Sequence, residues 1–209
     1  MIAIIDYDTG NTSSLKKALD FVGLPSQITA DPAQIQAASG IILPGVGAFP
    51  LAMAKLEERK LIAPILAAAK SGKPLLGICL GMQLLLTSSE EHTWTKGLDL
   101  IPGKVKKIPE KAGFKIPHMG WNNLLVCKEN KLTENLNGRY VYFVHSYFAD
   151  TDSAYISAVT THSQVVPALI QNNNVYGAQF HPEKSGDVGL EILRQFKEVV
   201  KCASTQQLT

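Results

Sequence analysis

Short, fully apolar segments alternate with helical patterns through the first half of the chain, and this alternation restricts the fold more than any other feature. The segments IAII (2–5), GIIL (40–43) and PLLGI (74–78) carry no charged or polar side chain, as expected of strands that are buried on both faces. The stretch between the first two segments has an apolar helical face before Gly23, formed by Leu15, Ala18, Leu19 and Val22. Strands that alternate with helices in this way indicate a parallel sheet covered on both sides, which is an α/β fold.

The second half of the chain has a different pattern, with strand-like segments and little helix between them. These segments are 98–101, 104–108, 122–126, 139–145 and 154–159. Residues 165–171 and 174–180 flank Asn172 and Asn173, which predicts a hairpin. A last helix is predicted with one face made of Ile192, Phe196, Val199 and Ala203, followed by a disordered polar tail at 204–209. No linker or repeat interrupts the chain, so residues 1–209 are predicted to form one domain.

Composition and charge exclude several classes of protein. A hydrophobic content of 45% in 209 residues allows a substantial core, and a formal net charge of +2 offers no electrostatic basis for binding nucleic acid or an anionic membrane. No apolar run is long enough to span a membrane, and the chain starts without a signal-peptide pattern. The three cysteines, Cys79, Cys127 and Cys202, have no CxxC spacing. We therefore expect no disulfide framework and no metal site, and we expect a reducing, cytoplasmic setting.

The most specific local motif is Gly77-Ile78-Cys79-Leu80-Gly81, at the point where a predicted strand gives way to a helix. It has the spacing of the G-x-S-x-G nucleophile elbow, with cysteine in place of serine. The two glycines let the chain turn sharply, and the start of the helix supplies free N–H groups and a positive dipole end that favour a thiolate. The alternative is that Cys79 is a small buried apolar residue, as most free cysteines are.

A second motif, His181-Pro182-Glu183, follows the apolar segment VYGAQF. The proline disfavours a helical conformation at His181, and in an extended segment the residues at i and i+2 face the same way. Glu183 can then orient the imidazole, and His181 can act as a general base toward Cys79 and later return the proton to a leaving group. Alone, a His-x-Glu pair is more often an ordinary surface pair. Together with the elbow it predicts a Cys–His–Glu triad.

The glycine-rich turn PGVG (44–47) follows the second apolar strand. Ligands of open α/β sheets bind at the carboxyl ends of the strands, where Cys79 is also expected. Backbone N–H groups of this turn, with that of Leu80, can bind the oxyanion of a tetrahedral intermediate. The alternative interpretation is a simple connection from strand to helix.

With these motifs, the sequence resembles the class I, triad-type glutamine amidotransferases, and within them the glutaminase subunits of imidazole glycerol phosphate synthases. GICLGMQLL (77–85) and QFHPE (179–183) are typical of the class. Further matching stretches are IIDYDTGN (4–11), LPGVGAF (43–49), GLDLIPGKV (97–105), PHMGWN (117–122), YFVHSY (142–147) and GAQFHPEKSG (177–186). The narrower resemblance rests on PHMGWN, YFVHSY and HPEKSG together. It covers essentially the whole chain and implies a flavodoxin-like α/β fold with a central mixed, mostly parallel sheet. It implies no cofactor.

The resemblance also implies a role for individual residues. Cys79 would be the nucleophile, His181 the base and Glu183 the orienting carboxylate, with the oxyanion hole formed by the backbone of Val46, Gly47 and Leu80. The substrate would be L-glutamine. The residues similar to its ligands in the family are Gln83, Glu91, His145, Ser146 and Tyr147.

A partner protein is implied as well, because subunits of this kind pass ammonia to a (β/α)₈-barrel cyclase subunit in a heterodimer. The cyclase would use it to make imidazole glycerol phosphate and aminoimidazole carboxamide ribotide in histidine biosynthesis. Residues similar to those at the interface or the ammonia passage are Asn11, Trp121, Asn122 and Lys184. Trp121 could instead be a core aromatic, and Lys184 a solvated charge.

Other functions remain open at this stage. The chain could be a class I glutaminase that serves guanylate, anthranilate or aminodeoxychorismate synthesis, a cysteine hydrolase on the same elbow, or a regulatory relative without activity. PHMGWN and HPEKSG favour the histidine pathway, Gln83 and YFVHSY favour a small amino-acid substrate, and the intact triad favours an enzyme. The chain departs from the family at Asp8 and Asp99, where glycine is common.

Overall fold

The computed structural model describes residues 1–206. Its helices are α1 (Thr12–Phe21), α2 (Pro32–Ala37), α3 (Phe49–Glu58), α4 (Ile62–Lys70), α5 (Leu80–Leu84) and α6 (Gly186–Gln206). Its strands are β1 (Ile2–Ile5), β2 (Ser26–Thr29), β3 (Gly40–Leu43), β4 (Leu75–Ile78), β5 (Leu86–Ser89), β6 (Thr95–Lys96), β7 (Ile101–Lys107), β8 (His118–Asn123), β9 (Leu125–Val126), β10 (Tyr140–His145), β11 (Tyr147–Asp150), β12 (Ile156–Thr161), β13 (Val165–Asn172) and β14 (Val175–Ala178).

The central sheet has the strand order β2-β1-β3-β4-β14-β13-β12-β9. The first five strands in this order are parallel to their neighbours, and the last three are antiparallel. Strands β8 and β10 form a separate two-stranded ribbon, and β11-β7-β5-β6 form a third sheet. The predicted α/β fold with a mixed sheet is therefore confirmed.

Apolar side chains cover both faces of the central sheet, as the uninterrupted apolar strands predict. In β1, Ala3 and Ile5 pack into a cluster with helices α2, α3 and α4. Ile2 and Ile4 of the same strand point the other way, into a cluster with α1 and α6. Because successive residues of a strand face opposite sides, four apolar residues in a row serve two cores.

Helix boundaries in the first half follow the expected signals. Asp31 accepts a hydrogen bond from the N–H of Ala33 at 2.9 Å and so caps α2, whose first residue is Pro32. Gly23 has a φ of +65° and Gly72 a φ of +84°, just beyond the ends of α1 and α4. These left-handed conformations end the helices at residues that tolerate them.

The second half differs from the prediction in its details. The predicted strands 98–101 and 104–108 are wrong as two units, because one strand, β7, runs through Gly103. A Cβ at Gly103 would lie 2.7 Å from the carbonyl oxygen of Asp150 in the neighbouring β11, so this glycine permits close strand approach rather than a break. The hairpin turn is shifted by one residue. Asn172 pairs with Val175, and Asn173, at φ +52°, is the first turn residue.

Three further features are local corrections. The helix after the elbow ends at Leu84, and the chain returns at once as strand β5. The polar strand β2 has no apolar pattern and is not among the strands predicted from the sequence. Helix α6 extends to Gln206, into the segment 204–209 expected to be disordered; residues 207–209 lie outside the described part of the chain. No helix within residues 1–206 combines the length and apolar character needed to cross a bilayer.

Candidate active site

The two sequence motifs meet because β4 and β14 are parallel neighbours in the central sheet. Ile78 pairs with Ala178, and the N–H of Cys79 donates to the carbonyl oxygen of Ala178 at 2.7 Å. Both strands therefore end at the same edge of the sheet, with Cys79 following one strand and His181 closely following the other.

Cys79 occupies a strained turn between β4 and α5. Its φ is +54° and its ψ −110°, a conformation that non-glycine residues rarely adopt and that is common at reactive sites. Both flanking glycines are required by close packing. A Cβ at Gly77 would lie 2.6 Å from the carbonyl oxygen of Gly81, and a Cβ at Gly81 would overlap the carbonyl oxygen of Leu43. The glycine spacing of the motif is thus explained by the geometry of the elbow.

His181 and Glu183 form a buried pair beside the thiol. Nδ1 of His181 lies 2.8 Å from Oε1 of Glu183, and the two side chains are 3% and 4% exposed. Burial lowers the pKa of His181, but its interactions with Cys79 and Glu183 outweigh this effect and raise the pKa to about 9. Nε2 of His181 makes no hydrogen bond of normal geometry within the described chain. That nitrogen is therefore free to exchange a proton with the thiol or a bound molecule.

Main-chain contacts hold His181 in place. Its carbonyl oxygen accepts a hydrogen bond from Oγ of Ser185 at 2.7 Å, and that hydroxyl accepts one from the N–H of Tyr142 at 3.0 Å. The N–H of His181 donates to the carbonyl oxygen of Tyr142 at 3.1 Å. Strand β10 and the turn after β14 are thereby joined, and the imidazole has a fixed backbone beneath it.

A cleft of about 400 Å³ opens at this edge of the sheet. Most of the residues expected to act in catalysis or substrate binding contribute to its wall. The lining consists of Val46, Gly47, Cys79, Leu80, Gln83, Glu91, Pro117, Val144, His145, Ser146, Tyr147, His181 and Lys184. Glu183 lies behind His181, where it contributes to a very small cavity with Asn11.

Gln83 is held in the cleft by two hydrogen bonds. Its amide nitrogen donates to the carbonyl oxygen of Tyr147 and to Oε1 of Gln179, each at 3.0 Å. The amide nitrogen of Gln179 in turn lies 4.0 Å from Sγ of Cys79. With both N–H groups of Gln83 occupied, its amide oxygen is the atom available to a ligand.

Glu91 is buried in the wall of the cleft and also caps a helix. Its Oε2 accepts a hydrogen bond from the N–H of Phe49 at 2.8 Å, the first residue of α3, whose N-cap residue Ala48 has no side-chain acceptor. A carboxylate in this position satisfies a free N–H group and interacts favourably with the helix dipole. Its Oε1 lies 3.9 Å from Nε2 of His92.

The residues predicted to form the oxyanion hole, Val46, Gly47 and Leu80, line the same cleft as His181. Leu80 is the first residue of α5, so its N–H has no partner inside the helix. Gly47 has a φ of +102°, which orients the PGVG turn as a side-chain-bearing residue could not easily do. The hydroxyl of Tyr7 supports the turn from below by donating to the carbonyl oxygen of Pro44 at 2.7 Å.

Comparison with known proteins identifies the family. Residues 3–199 match the family model described as "Glutamine amidotransferase class-I". The chain belongs to the class I glutamine amidotransferases. It is 58% identical over 208 residues to a Listeria innocua protein named imidazole glycerol phosphate synthase subunit HisH, covering 99% of this chain and all of that protein. The protein of the same name from Streptococcus mutans is 56% identical over 199 residues, with 95% and 99% covered.

Solved structures support the fold assignment. One described as a glutamine amidotransferase matches with a TM-score of 0.75 at 18% identity and covers 96% of this chain and all of its own. As a class I amidotransferase, the chain has the expected α/β architecture. Two alternatives remained from the sequence: a cysteine hydrolase and a regulatory relative without activity. The family match and the named relatives favour a glutamine amidotransferase over both.

Of the four residues expected at a partner interface, Lys184 lines the cleft and Asn11 lines the small cavity shared with His181 and Glu183. Asn11 caps α1 by accepting from the N–H of Ser14 at 3.3 Å. Trp121 is 56% exposed, so it is not a core aromatic; its ring contacts Tyr142 edge to face, with centroids 6.1 Å apart. Lys184 is exposed at the rim. Among the described residues, no carboxylate forms an ion pair with it.

Asn122 differs from the other three because its side chain is engaged inside the protein. Its Nδ2 donates to the carbonyl oxygen of Thr161 at 2.8 Å and lies 3.3 Å from Nε2 of His118. The residue is half-buried at the side of the β8–β10 ribbon.

Sequence reasoning missed two neighbours of this amidotransferase's cysteine. Gln179 has no solvent exposure and contacts both Gln83 and Cys79. The carbonyl oxygen of Val144 lies 3.9 Å from Sγ of Cys79 and accepts from the thiol. Gln179 carried a signal, since it stands in QFHPE as a polar residue at the end of an apolar strand. Val144 acts through its backbone, which side-chain patterns do not reveal.

The two departures from the family pattern have a common conformational explanation. Asp8 has a φ of +65° and Asp99 a φ of +53°, a region in which glycine is favoured and aspartate is tolerated better than most residues. Each carboxylate has a partner. Arg59 donates to Asp8 at 2.5 Å, and the hydroxyl of Thr87 donates to Asp99 at 2.7 Å. These contacts stabilise conformations that the side chains alone would disfavour.

Proposed function

We propose that this chain is the glutaminase subunit of an imidazole glycerol phosphate synthase. It hydrolyses L-glutamine to glutamate and ammonia and supplies the ammonia to a cyclase subunit. The observation that carries the chemistry is the convergence of Cys79 with the hydrogen-bonded His181–Glu183 pair at one end of the cleft. The names of the full-length relatives support the assignment to this synthase.

The first half of the reaction forms a thioester. Because His181 has a pKa raised to about 9, the imidazole keeps its proton at neutral pH and can donate it during the reaction. The Cys79 thiolate attacks the side-chain amide carbon of glutamine, and N–H groups of Leu80 and of the Val46–Gly47 turn stabilise the oxyanion. The tetrahedral intermediate collapses when Nε2 of His181 gives its proton to the nitrogen, which leaves as ammonia.

The second half releases glutamate. Neutral His181 takes a proton from water as the water oxygen attacks the thioester carbon, and the same N–H groups stabilise the second oxyanion. Collapse breaks the carbon–sulfur bond and restores the Cys79 thiolate and the imidazolium. Glu183 keeps the proton of His181 on Nδ1, so that Nε2 is the nitrogen that exchanges protons throughout.

The remaining polar groups of the cleft suit the rest of the substrate. The free amide oxygen of Gln83 can accept from a donor group of glutamine, and Glu91 offers an anionic oxygen to the α-amino group. The backbone of His145, Ser146 and Tyr147 lines the other wall and is proposed to hold the α-carboxylate. This set of contacts fits a small zwitterion.

The β8–β10 ribbon is the proposed docking surface for a (β/α)₈-barrel cyclase. Met119, Trp121 and Tyr140 on this ribbon are exposed aromatic or apolar side chains, and a cluster of this kind marks interaction surfaces. Lys184 at the rim adds an exposed positive charge, and we assign Asn11 and Asn122 to the same proposed surface. Ammonia released at His181 would leave on this side.

A reducing, cytoplasmic setting is part of the proposal. All three cysteines are free, and the proposed mechanism requires Cys79 as a thiolate, which an oxidising compartment would put at risk.

The test is reconstitution with the cyclase subunit of the same organism. Cys79→Ser should reduce glutamine-dependent formation of imidazole glycerol phosphate by more than about 10³-fold, while the complex still forms product from added ammonium. Cys127→Ser and Cys202→Ser are the matched controls, because both cysteines are exposed and outside the cleft. Glutamine-dependent turnover that survives in Cys79→Ser would exclude Cys79 as the nucleophile. Failure of the wild-type complex to use glutamine would exclude the function.

A further inference from the structure

Two buried histidines form a hydrogen-bonded pair at the wall of the cleft. His118 in β8 and His145 in β10 are opposite each other in the antiparallel ribbon, and Nδ1 of His118 lies 3.0 Å from Nε2 of His145. Nδ1 of His145 lies 2.8 Å from the carbonyl oxygen of Tyr147. His145 lines the cleft, and His118 does not.

The donor and acceptor of each hydrogen bond between Asn122, His118, His145 and Tyr147 follow from the carbonyl oxygen at one end of the series. The carbonyl oxygen of Tyr147 can only accept, so Nδ1 of His145 carries a proton and the neutral ring accepts at Nε2. Nδ1 of His118 must then donate, which leaves Nε2 of His118 to accept from the Asn122 amide at 3.3 Å. The series runs from Asn122 to Tyr147 with one proton in each bond. A second proton on either ring would set donor against donor.

The surroundings keep both rings neutral. His118 is 3% and His145 6% exposed, and the ring of His118 is stacked between His162 and Phe143 with centroid distances of 4.3 and 4.7 Å. Burial, aided by the neighbouring His162, lowers the pKa of His118 to about 4. Burial also lowers the pKa of His145 to about 3; the Tyr147 carbonyl opposes this shift, and His118, His162 and His181 add to it.

The carbonyl oxygen at the end of the series is shared with the cleft. It accepts from Nδ1 of His145 on one side and from the Gln83 amide at 3.0 Å on the other. The position of the Tyr147 peptide therefore sets both the orientation of Gln83 and the shape of the wall formed by residues 145–147.

We propose that the neutral His118–His145 pair is a positioning element for glutamine binding, which holds the Tyr147 peptide and, through it, the amide of Gln83. This inference rests on the proposed glutaminase function. His118 acts through His145 and touches no substrate atom, so its effect is on the affinity for glutamine rather than on the chemical steps.

Two variants of His118 separate the hydrogen bond from the packing. His118→Phe keeps a ring between His162 and Phe143 but has no donor, whereas His118→Asn retains an amide N–H near the position of Nδ1. In the complex with the cyclase, His118→Phe should raise KM for glutamine about tenfold, the scale of one lost hydrogen bond. His118→Asn should restore KM to within about threefold of wild type. The control, Asn174→Leu, removes hydrogen bonds to the carbonyl oxygens of Ala69 and Lys73 outside the cleft and should leave KM unchanged.

Two further measurements distinguish positioning from a general loss of structure. The rate of Cys79 alkylation by iodoacetamide and the ammonium-dependent turnover of the complex should be the same in wild type and both His118 variants. In the wild-type chain at pH 7, nitrogen-15 NMR of the histidine rings should show His118 and His145 neutral and protonated at Nδ1.

Different results would contradict the histidine pair, its positioning role and the proposed glutaminase function. An NMR spectrum with either ring charged, or with His145 protonated at Nε2, would overturn the pair itself without reference to activity. A wild-type KM in His118→Phe, or equal loss of alkylation and ammonium-dependent turnover, would overturn its positioning role. Absence of glutamine turnover in the wild-type complex would contradict the proposed function, while the NMR result would still decide the hydrogen-bonded pair.

Discussion

The amide nitrogen of Gln179 points at the sulfur of Cys79 from 4.0 Å, in a position without solvent exposure. The same side chain accepts from Gln83 through its oxygen, which fixes the orientation of the amide. Gln179 therefore presents a neutral donor to the nucleophile and connects it with a residue of the substrate cleft.

The isosteric substitution Gln179→Glu should slow alkylation of Cys79 at pH 7 by about tenfold or more. A carboxylate in place of the amide would oppose formation of the thiolate through like charge in a buried site. The measurement is the iodoacetamide reaction rate as a function of pH. Gln36→Glu adds the same charge at an exposed position of α2 and should react at the wild-type rate. An unchanged rate in Gln179→Glu would show that the amide does not influence the thiol.

Glu183→Gln should lower kcat for glutamine hydrolysis by up to about 10⁴-fold, the loss seen when the orienting carboxylate of a triad is neutralised. It should also lower the pKa of His181 from about 9, because the charge of Glu183 helps to raise it. The alkaline limb of the pH–rate profile should then move to lower pH. A limb that stays in place would mean that Cys79 alone raises the pKa of His181.

The same pKa shift has a consequence for stability. Since the folded-state pKa of His181 lies above the unfolded value of 6.5, the folded protein holds a proton that the unfolded chain releases between about pH 6.5 and 9. The stabilising contribution is complete below this window and is lost as the pH rises through it. Urea unfolding of Glu183→Gln at pH 6 and pH 9 should show a smaller difference than that of wild type.

Gly81→Ala should destabilise the fold by about 3 kcal/mol or more, because the added Cβ would overlap the carbonyl oxygen of Leu43 in a closely packed interior. Gly72→Ala is the control. Gly72 has a φ of +84° with no atom within 4 Å of an added Cβ, so only the backbone strain of about 1 kcal/mol is expected. Urea denaturation of both variants measures the difference. Equal losses would mean that β3 and α5 separate readily.

Most residues of the candidate site could be predicted because they belong to local sequence motifs. The proline after His181 restricts the backbone locally, and the motif spacing marks Gly77 and Gly81, although the close contact that requires Gly81 is with Leu43 in β3. The helix cap at Asp31 and the stop at Gly23 follow from interactions within a few residues, so they too could be predicted. Gln179 was within a recognised motif, but its importance lies in contacts with residues about a hundred positions away.

Features without a side-chain pattern could not be predicted. Strand β2 is polar and exists because it pairs with β1, and β7 continues through Gly103 because β11 passes close by. The neutrality of His118 and His145 depends on the rings and carbonyl groups that surround them. Such properties arise from neighbours in space.

Taken alone, the sequence determined that the chain folds as alternating strands and helices, that Cys79 stands in a sharp turn, and that Glu183 can orient His181, because each depends on bonds and contacts within a few residues. The tertiary structure decided that β14 lies beside β4, which brings His181 to Cys79, and that the Tyr147 carbonyl joins the His118–His145 pair to Gln83. The sequence pattern alone does not specify which of the apolar strands pairs with β4. The choice among them depends on packing across the whole sheet, a cooperative property that no local pattern contains.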